Sequence, residues 1–253
     1  MTVKIRVMPT LLFRDVGLVK GVGFDSWRRT GSALQAIKVY NMREVDELIF
    51  LDIRATPDGR APDFAQVDEL ADECFMPMTV GGGVRNPDHI GQLLAVGADK
   101  VAVNSGALAR PRLIQEGALR YGAQCIVVSI DALALADGRW EVMSECGKKP
   151  TGRDPVEWAR EAEALGAGEI LLTSVDRDGT FNGYDVALTR AVVDAVKIPV
   201  IASGGCGSYR HMEEVLRDGK ADAVAAASIF HFTEQTPKAG KVYLKSRGFN
   251  VRV

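Results

Sequence analysis

The chain has 253 residues, of which 47% are hydrophobic and 25% charged, and its formal net charge is -2. The length suits one large α/β domain, because α/β barrels routinely use about 250 residues as a single domain. The near-neutral charge excludes a global attraction for nucleic acid or an anionic membrane. No apolar run approaches the roughly 20 residues of a membrane span and no signal cleavage site is present, so we expect a cytoplasmic protein.

Eight short apolar or β-branched runs follow one another along the chain, each followed by a loop and a segment of helical periodicity. The predicted strands span 5–12, 47–53, 76–82, 100–105, 125–131, 169–175, 198–204 and 223–228. The predicted helices lie near 32–44, 63–74, 87–96, 109–121, 154–165, 186–196, 208–218 and 235–247. Eight alternating units of this length predict a (βα)8 TIM barrel. A doubly wound open sheet is the alternative, although its GxGxxG fingerprint is missing after the first strand.

The chain also resembles itself. DELIFLDIRATPDGR (46–60) parallels GEILLTSVDRDGTF (168–181), and FMPMTVGGGV (75–84) parallels KIPVIASGGC (197–206). Gly82 lies 23 residues before Ser105, and Gly205 lies 23 residues before Ser228. We therefore predict a two-fold half-barrel repeat within a single domain of residues 1–253, with one equivalent site in each half.

Glycines at the ends of strands indicate two phosphate sites, one per half. Glycine lets backbone N–H groups approach a ligand closely, and a following helix N-terminus favours an anion. The candidate ligands are Gly82, Gly83, Asn104, Ser105, Gly179, Gly204, Gly205, Ala227 and Ser228. The alternative is that the glycines only form tight turns.

Cysteine and histidine spacing indicates no metal site and no disulfide. No CxxC pair occurs, and both residue types are scattered. They are Cys74, Cys125, Cys146, Cys206, His89, His211 and His231. We predict free thiols and neither a metal nor a cofactor.

Several segments together resemble the cyclase subunit of imidazole glycerol phosphate synthase, over essentially the whole chain. They include DELIFLDI, TVGGGV, GADKVAVNSGAL, VVSIDA, SECGKKPTG, GAGEILLTSVDRDGT, IPVIASGG, ASIFHF and GFNVRV. The resemblance implies a barrel that receives ammonia at its bottom from a separate glutaminase subunit, as an expected heterodimer. It also implies that ammonia is used at the top on a bisphosphorylated ribosyl-formimino substrate.

Two aspartates at the ends of the first and fifth strands act as general acid and base in that family. Asp131 in SIDA matches the second, but Leu12 stands where the first is expected. A leucine cannot transfer a proton, and losing one acid/base partner typically lowers the rate by about 10²–10⁴-fold. Asp15 aligns with a different loop residue, so it replaces the missing group only if the loop refolds.

The opening MPTLLFRDVGLVKGVGF is similar to a divergent branch of the family associated with bacterial surface polysaccharides and nonulosonic acids. Proteins of that branch are associated with glycosyl amidation, in which ammonia converts an acetamido group on a sugar into an acetamidino group. ELADECFMP (69–77) and DPVEW (154–158) agree with the branch. We interpret Leu12 as its mark.

Four charged residues begin strands: Arg6, Glu47, Lys100 and Glu169. Two cations and two anions could form a neutral ring at the barrel floor, although four solvated strand starts are the alternative. All four positions match the family's gate to the ammonia tunnel. The neighbouring Asp99 matches a position that contacts the glutaminase. Small interior residues, namely Thr79, Ala102 and Ser129, are compatible with a passage for ammonia.

At the mouth, Asp131 is the best acid/base candidate and Asp178 is the second catalytic candidate. Residues expected to orient substrate or to close over it are Lys20, Asp52, Lys148, Lys149 and Thr173. Solvated loop charge is the alternative for the three lysines. Cys206 lacks a paired histidine nearby, so we predict a packing role for it.

Three functions follow. The first is an ammonia-dependent synthase subunit for sugar amidation, helped by the glutaminase and by an activating enzyme, since a plain amide is a poor electrophile. Its substrate is expected to be a phosphorylated or nucleotide-linked small molecule. The second is a histidine-pathway cyclase with a rebuilt acid/base pair. The third is a catalytically idle scaffold that activates the glutaminase.

Overall fold

The computed structural model describes residues 4–253. Within this range the chain forms twelve strands: β1 (Arg6–Arg14), β2 (Gly17–Val22), β3 (Asp25–Gly31), β4 (Leu48–Asp52), β5 (Met78–Gly81), β6 (Lys100–Val103), β7 (Ile126–Ala134), β8 (Trp140–Ser144), β9 (Lys149–Pro150), β10 (Glu169–Ser174), β11 (Val200–Ser203) and β12 (Ala223–Ala226). Eight of them pair in parallel in the order β1, β4, β5, β6, β7, β10, β11 and β12, and β12 pairs again with β1. The predicted (βα)8 barrel is therefore confirmed.

Helices connect the barrel strands: α1 (Ala33–Met42), α2 (Phe64–Ala71), α3 (Pro87–Ala95), α4 (Ser105–Ala109), α5 (Arg112–Tyr121), α6 (Pro155–Ala164), α7 (Val186–Val193), α8 (Tyr209–Arg217), α9 (Ser228–Phe232) and α10 (Pro237–Ser246). Side-chain caps fix several of their starts. Asp154 caps α6 and Asn86 caps α3, each followed by proline at the first helical position, where its missing N–H costs nothing. No helix among residues 4–253 is long and apolar enough to cross a membrane.

Two short antiparallel additions at the barrel mouth were not predicted. Strands β2 and β3 form a hairpin after β1, and β8 and β9 follow β7. The hairpin turns at Gly23 and Phe24, which both have positive φ, 57° and 61°. Such two-residue turns usually carry Asn-Gly or Gly-Gly, because an aromatic residue rarely adopts this conformation. The Gly-Phe pair therefore did not indicate a turn in the sequence.

The apolar run through Leu11, Leu12 and Phe13 continues because the strand itself continues. Strand β1 extends to Arg14, two residues beyond its predicted end, since Leu12 pairs with Val19 of the hairpin. Leu11 and Phe13 are buried in the main hydrophobic core, while Leu12 lies on the opposite face of the strand and lines the cavity at the mouth. Alternate residues of the run therefore face the hydrophobic core and the cavity, because successive side chains of a strand point to opposite faces.

The strand register supports the half-barrel repeat and corrects its alignment. Val103 pairs with Val128 between the fourth and fifth barrel strands. Ala226 pairs with Pro9 between the eighth and first. Gly81 pairs with Leu51 of the second barrel strand, and Ser203 pairs with Thr173 of the sixth. These two pairings are equivalent in the repeat, so Gly82 corresponds to Gly204. The equal 23-residue spacings, which aligned Gly82 with Gly205, are therefore one residue out of register.

A hydrophobic cluster lies inside the barrel between its floor and its mouth. Its buried residues are Met8, Ile49, Ala102, Val127, Leu171, Ile201, Ala223 and Ala225. A separate and larger cluster lies between the barrel and much of the helical ring. The polar groups of the barrel therefore gather at its two ends, the floor and the mouth.

Candidate functional site

A cavity opens at the C-terminal ends of the barrel strands, which is where TIM barrels carry their active sites. Most residues predicted for the site line it. They are Lys20, Asp52, Gly82, Gly83, Asn104, Ser105, Asp131, Thr173, Asp178, Gly179, Gly204, Gly205, Ala227 and Ser228, together with Leu12. The fold therefore brings the residues of both predicted phosphate sites and both candidate carboxylates to one cavity.

Lys148 and Lys149 do not line the cavity. Both are exposed, and the Nζ atom of Lys149 lies 3.5 Å from a carboxylate oxygen of Glu145. Lys149 pairs with Ser144 in the small β8–β9 addition, which fixes its backbone outside the cavity. In this conformation the two lysines are rim charges, as the solvated-loop alternative expected.

Asp131 is the most strongly perturbed carboxyl group of the cavity. It sits near the end of β7 and is 7% exposed. Its Oδ2 accepts a hydrogen bond of 2.7 Å from Nδ2 of Asn104. Burial raises its pKa to about 7, the Asn104 hydrogen bond opposes that shift, and the nearby charge of Asp178 adds to it. A carboxyl group of this kind exchanges protons near neutral pH, as a general acid or base must.

Asp178 has a different electrostatic environment, because it forms a buried ion pair with Lys20. Lys20 is 2% exposed and comes from the β2–β3 hairpin. A backbone hydrogen bond of 2.8 Å from the Gly23 N–H to the Asp178 carbonyl oxygen holds the same hairpin over the loop. Two cavity carboxylates therefore have opposite environments: Asp131 is desolvated, and Asp178 faces a cation.

Leu12 occupies the position that the repeat relates to Asp131. It pairs with Leu51 of β4, which also lines the cavity. Asp15 does not replace the missing carboxylate. Its side chain is 61% exposed and lies 3.5 Å from Nε of Arg14 and 3.8 Å from Nε of Arg54. The wall at Leu12 is therefore apolar.

Asp52 organises the loop that follows β4. Its Oδ1 accepts the backbone N–H groups of Arg54 and Ala55 at 2.9 and 3.1 Å. Its Oδ2 lies 3.1 Å from a guanidinium nitrogen of Arg60. Asp52 therefore orients this loop, and its expected role in orienting substrate stays a prediction.

Both glycine pairs at the predicted phosphate sites have positive φ and close backbone packing. A Cβ atom on Gly82 would lie 2.3 Å from the carbonyl oxygen of Asp52, and one on Gly205 would lie 2.1 Å from that of Gly183. The tight-turn alternative is therefore sufficient to explain the glycines. The short helices α4 and α9 begin at Ser105 and Ser228.

In the first half, the side chains of the predicted phosphate site already have partners. The hydroxyl of Ser105 accepts the Glu145 N–H at 3.0 Å, and the amide of Asn104 is bonded to Asp131. Phosphate binding stays a prediction for both halves.

Several lining residues were missed because the hairpin was missed. Phe24 and Trp27 bring aromatic side chains to the cavity, and Cys146 enters from the turn between β8 and β9. Burial and the nearby Asp131 charge raise the pKa of Cys146 to about 12. Cys206 also has a pKa of about 12 because it is buried. Both thiols therefore stay protonated, so neither is an activated nucleophile.

The four predicted floor charges form a closed ring of ion pairs. Arg6 contacts Glu47 at 2.7 Å and Glu169 at 2.8 Å. Lys100 contacts the same two carboxylates at 3.0 and 2.9 Å. The hydroxyl of Thr79 donates to Glu47 at 2.9 Å. The ring is neutral and mostly buried, as the floor prediction required.

Asp99 is exposed beside this floor. Its Oδ2 accepts the backbone N–H of Met78 at 2.8 Å, which ties the start of β6 to β5. Its predicted contact with a glutaminase stays a prediction.

A comparison with known protein families identifies the family of this chain. The sequence model of a family described as "Histidine biosynthesis protein" matches residues 6–236, which include all eight barrel strands. The enzymes of this family are isomerases and cyclases built on the same barrel.

Proposed function

Since the chain belongs to the histidine biosynthesis protein family, we propose that it is the ammonia-using synthase subunit of a glutamine amidotransferase complex. A glutaminase partner supplies the ammonia. The synthase converts an acetamido group of a sugar into an acetamidino group, in the formation of surface polysaccharide or nonulosonic acid. The observation that carries this proposal is the apolar wall at Leu12, opposite Asp131.

Leu12 argues against ring closure. The cyclase that the sequence resembles uses a carboxyl group at each of these two related positions, on opposite sides of the mouth. Here only Asp131 is present, and Asp15 is turned outward toward arginines. Loss of one acid/base group lowers a rate by about 10²–10⁴-fold. The two-carboxylate reaction is therefore disfavoured, whereas a reaction that needs one proton-transfer group is retained.

The cavity lining suits an acetamido group. Leu12 and Leu51 provide an apolar surface for the methyl group. Asp131, with a pKa of about 7, is partly protonated at neutral pH and can donate a proton to the amide oxygen. Phe24 and Trp27 provide aromatic faces of the kind on which sugar rings pack.

The reaction balances with one external requirement. Because an amide oxygen is a poor leaving group, a separate activating enzyme first transfers a phosphoryl or nucleotidyl group from a nucleoside triphosphate to the acetamido oxygen. The phosphorylated or nucleotide-linked sugar presents this activated group to Asp131. Ammonia then adds to the acetamido carbon, a new carbon–nitrogen bond forms, and the carbon–oxygen bond breaks with release of phosphate or nucleotide that carries the oxygen.

The interior next to the floor ring supports delivery of ammonia from below. Thr79 contacts Glu47 of the ring. Gly81 and Ala102 pair on adjacent strands above it, and Ala102 and Ser129 both line the mouth cavity. Larger residues such as Met8 and Ile201 fill other parts of the interior, where β12 adds the small residues Ala223 and Ala225.

The floor also carries a surface suited to a partner protein. Met42 is 77% exposed and Phe75 is 83% exposed. Asn41 connects their segments, because its Oδ1 accepts the Phe75 N–H at 3.1 Å. Exposed large apolar side chains near a charged rim are typical of docking surfaces. We assign the glutaminase to this end of the barrel.

The second candidate is the histidine-pathway cyclase. The two glycine turns favour it, because a bisphosphate substrate would place one phosphate at each. One assay distinguishes the candidates: purified protein, excess ammonium and the bisphosphate substrate, followed by the loss of substrate absorbance. The proposal predicts turnover at least 100-fold below that of an ordinary cyclase, and a normal rate would refute it.

A direct test follows the nitrogen. The protein is incubated with the activating enzyme, a nucleoside triphosphate, an acetamido sugar nucleotide and ¹⁵N-ammonium, and the product is examined for ¹⁵N in an acetamidino group. Incorporation that is lost in Asp131→Asn is the expected result. Full incorporation in that variant would exclude Asp131 and favour the third function, an idle scaffold.

A further inference from the structure

Asn104 bonds to Asp131, the cavity acid near the end of β7. It follows the last residue of β6, and its Nδ2 donates to Oδ2 of Asp131 at 2.7 Å. Its Oδ1 is buried and has no hydrogen-bond partner among residues 4–253. A buried amide oxygen without a donor is unfavourable, so this side chain is only half satisfied.

The half-barrel repeat offers an internal comparison for this pair. The pairing of Val103 with Val128 is equivalent to that of Ala226 with Pro9. Counting forward along each strand relates Asn104 to Ala227 and Asp131 to Leu12. The amide is therefore present beside the acid, whereas the related place beside leucine carries only a methyl group.

The turn itself does not need the amide. Asn104 precedes α4 with φ -130° and ψ -97°, and Ala227 precedes α9 with φ -122° and ψ -68°. The asparagine also makes no side-chain cap to its helix. Because alanine supports a similar turn in the second half, the amide of Asn104 has a separate role.

We infer that Asn104 is a positioning residue that holds Asp131 in either protonation state. In the ionised state Nδ2 donates to the carboxylate, which is the arrangement that the contact in the structure fits. In the protonated state the amide rotates by about 180° and Oδ1 accepts the carboxylic O–H, which gives that oxygen its missing donor. One carboxyl group can then both receive and return a proton, and this use in catalysis rests on the proposed function.

The other groups around Asp131 do not supply this support. Asp178 acts on it through charge and is itself paired with Lys20. Cys146 stays neutral, since its pKa is about 12. Thr173, the neighbour of Asp131 on β10, has no charge. Among the described residues, Asn104 is the side chain that hydrogen-bonds to Asp131.

The inference is tested by titrating Asp131 in protein labelled with ¹³C at the aspartate carboxyl carbons, with Asp131→Asn used to assign the signal. Asn104→Leu keeps the side-chain volume and removes the donor. It should raise the pKa of Asp131 by about one pH unit, because the amide's hydrogen bond to the ionised carboxylate is charge-assisted and stronger than its bond to the neutral acid, and the difference is of that order. Ser105→Ala, at the adjacent position, should leave the titration unchanged.

The side-chain amide of the wild-type protein provides a second measurement, which is needed if Asn104→Leu fails to fold. The ¹⁵N and ¹H shifts of the Asn104 NH₂ group should titrate with the same midpoint as the Asp131 carboxyl group, and this titration should vanish in Asp131→Asn. An amide signal that does not respond to pH between 5 and 9 would overturn the inference. Neither experiment needs a substrate. A result that contradicts the inference is therefore distinct from a result that contradicts the proposed function.

Discussion

The floor ring gives a sharp prediction for Glu47. Its side chain is 4% exposed and contacts Arg6, Lys100 and Thr79. Replacing it by glutamine keeps the shape and leaves two cations facing one remaining anion, Glu169. The charge of the ring changes from neutral to +1 in a mostly buried position.

The size of the effect follows from the burial. Removing one partner of a fully buried pair costs about 3–5 kcal/mol, whereas exposed pairs contribute about 0–1 kcal/mol. Arg6 is 21% exposed and Lys100 is 18% exposed, so we expect Glu47→Gln to lower the free energy of unfolding by about 2–3 kcal/mol. For a chain of this size that lowers Tm by roughly 5–10 °C.

Urea unfolding followed by circular dichroism measures the effect. Glu73→Gln is the matched control, because Glu73 pairs with Lys38 on the surface at 3.2 Å and both side chains are about half exposed. Its loss should stay below about 0.5 kcal/mol. The double variant Glu47→Gln/Lys100→Met, which is neutral again, should recover part of the stability. If Glu47→Gln is as stable as Glu73→Gln, the ring does not stabilise the floor.

Three further predictions follow from the structure. The folded-state pKa of Asp131 is raised to about 7. Between about pH 4 and 7 the native carboxyl group therefore keeps its proton while the unfolded one loses it, so the free energy of unfolding of the wild type should fall as the pH rises through this range. Relative to wild type, Asp131→Asn should gain roughly 2–4 kcal/mol at pH 8 and little at pH 4 in urea unfolding; equal gains would contradict the assignment. Gly205→Ala should destabilise more than Gly138→Ala in thermal unfolding, because both glycines have positive φ but only Gly205 would bring Cβ to 2.1 Å from a carbonyl oxygen; equal losses would remove the packing argument. Ala102→Trp should abolish glutamine-dependent product formation and spare ammonium-dependent formation, measured in parallel assays; equal loss of both would count against the passage.

Much of this fold was predictable because the alternation of strands and helices, and the residues at the strand ends, are features of the local sequence. Parallel strands place their starts at one end and their ends at the other. Charges at four strand starts therefore had to meet at the floor, and glycines and carboxylates at strand ends had to meet at the mouth. Strand direction alone left solvated charges as the alternative, and the match to the family's gate favoured the contacts of Arg6 and Lys100 with two glutamates that the structure contains.

The missed features depend on geometry that spacing does not encode. The β2–β3 hairpin turns on an aromatic residue in a conformation that sequence rules assign to glycine or asparagine. Without the hairpin, Phe24 and Trp27 could not be placed at the cavity. The bond from Asn104 to Asp131 depends on strand register, and sequence spacing alone put one part of the repeat out by a residue. The outward turn of Asp15, at φ 59°, likewise belongs to the folded loop.

The proposed function depends on the side chain of Leu12, and Leu12→Asp is its most direct test. The measurement is the rate of consumption of the histidine-pathway bisphosphate substrate at saturating ammonium, compared between wild type and Leu12→Asp. We predict a wild-type rate near background and a gain of at least 100-fold in the variant, because a carboxyl group would then face Asp131 across the mouth. Full cyclase turnover by the wild-type protein, with no gain in Leu12→Asp, would contradict the account.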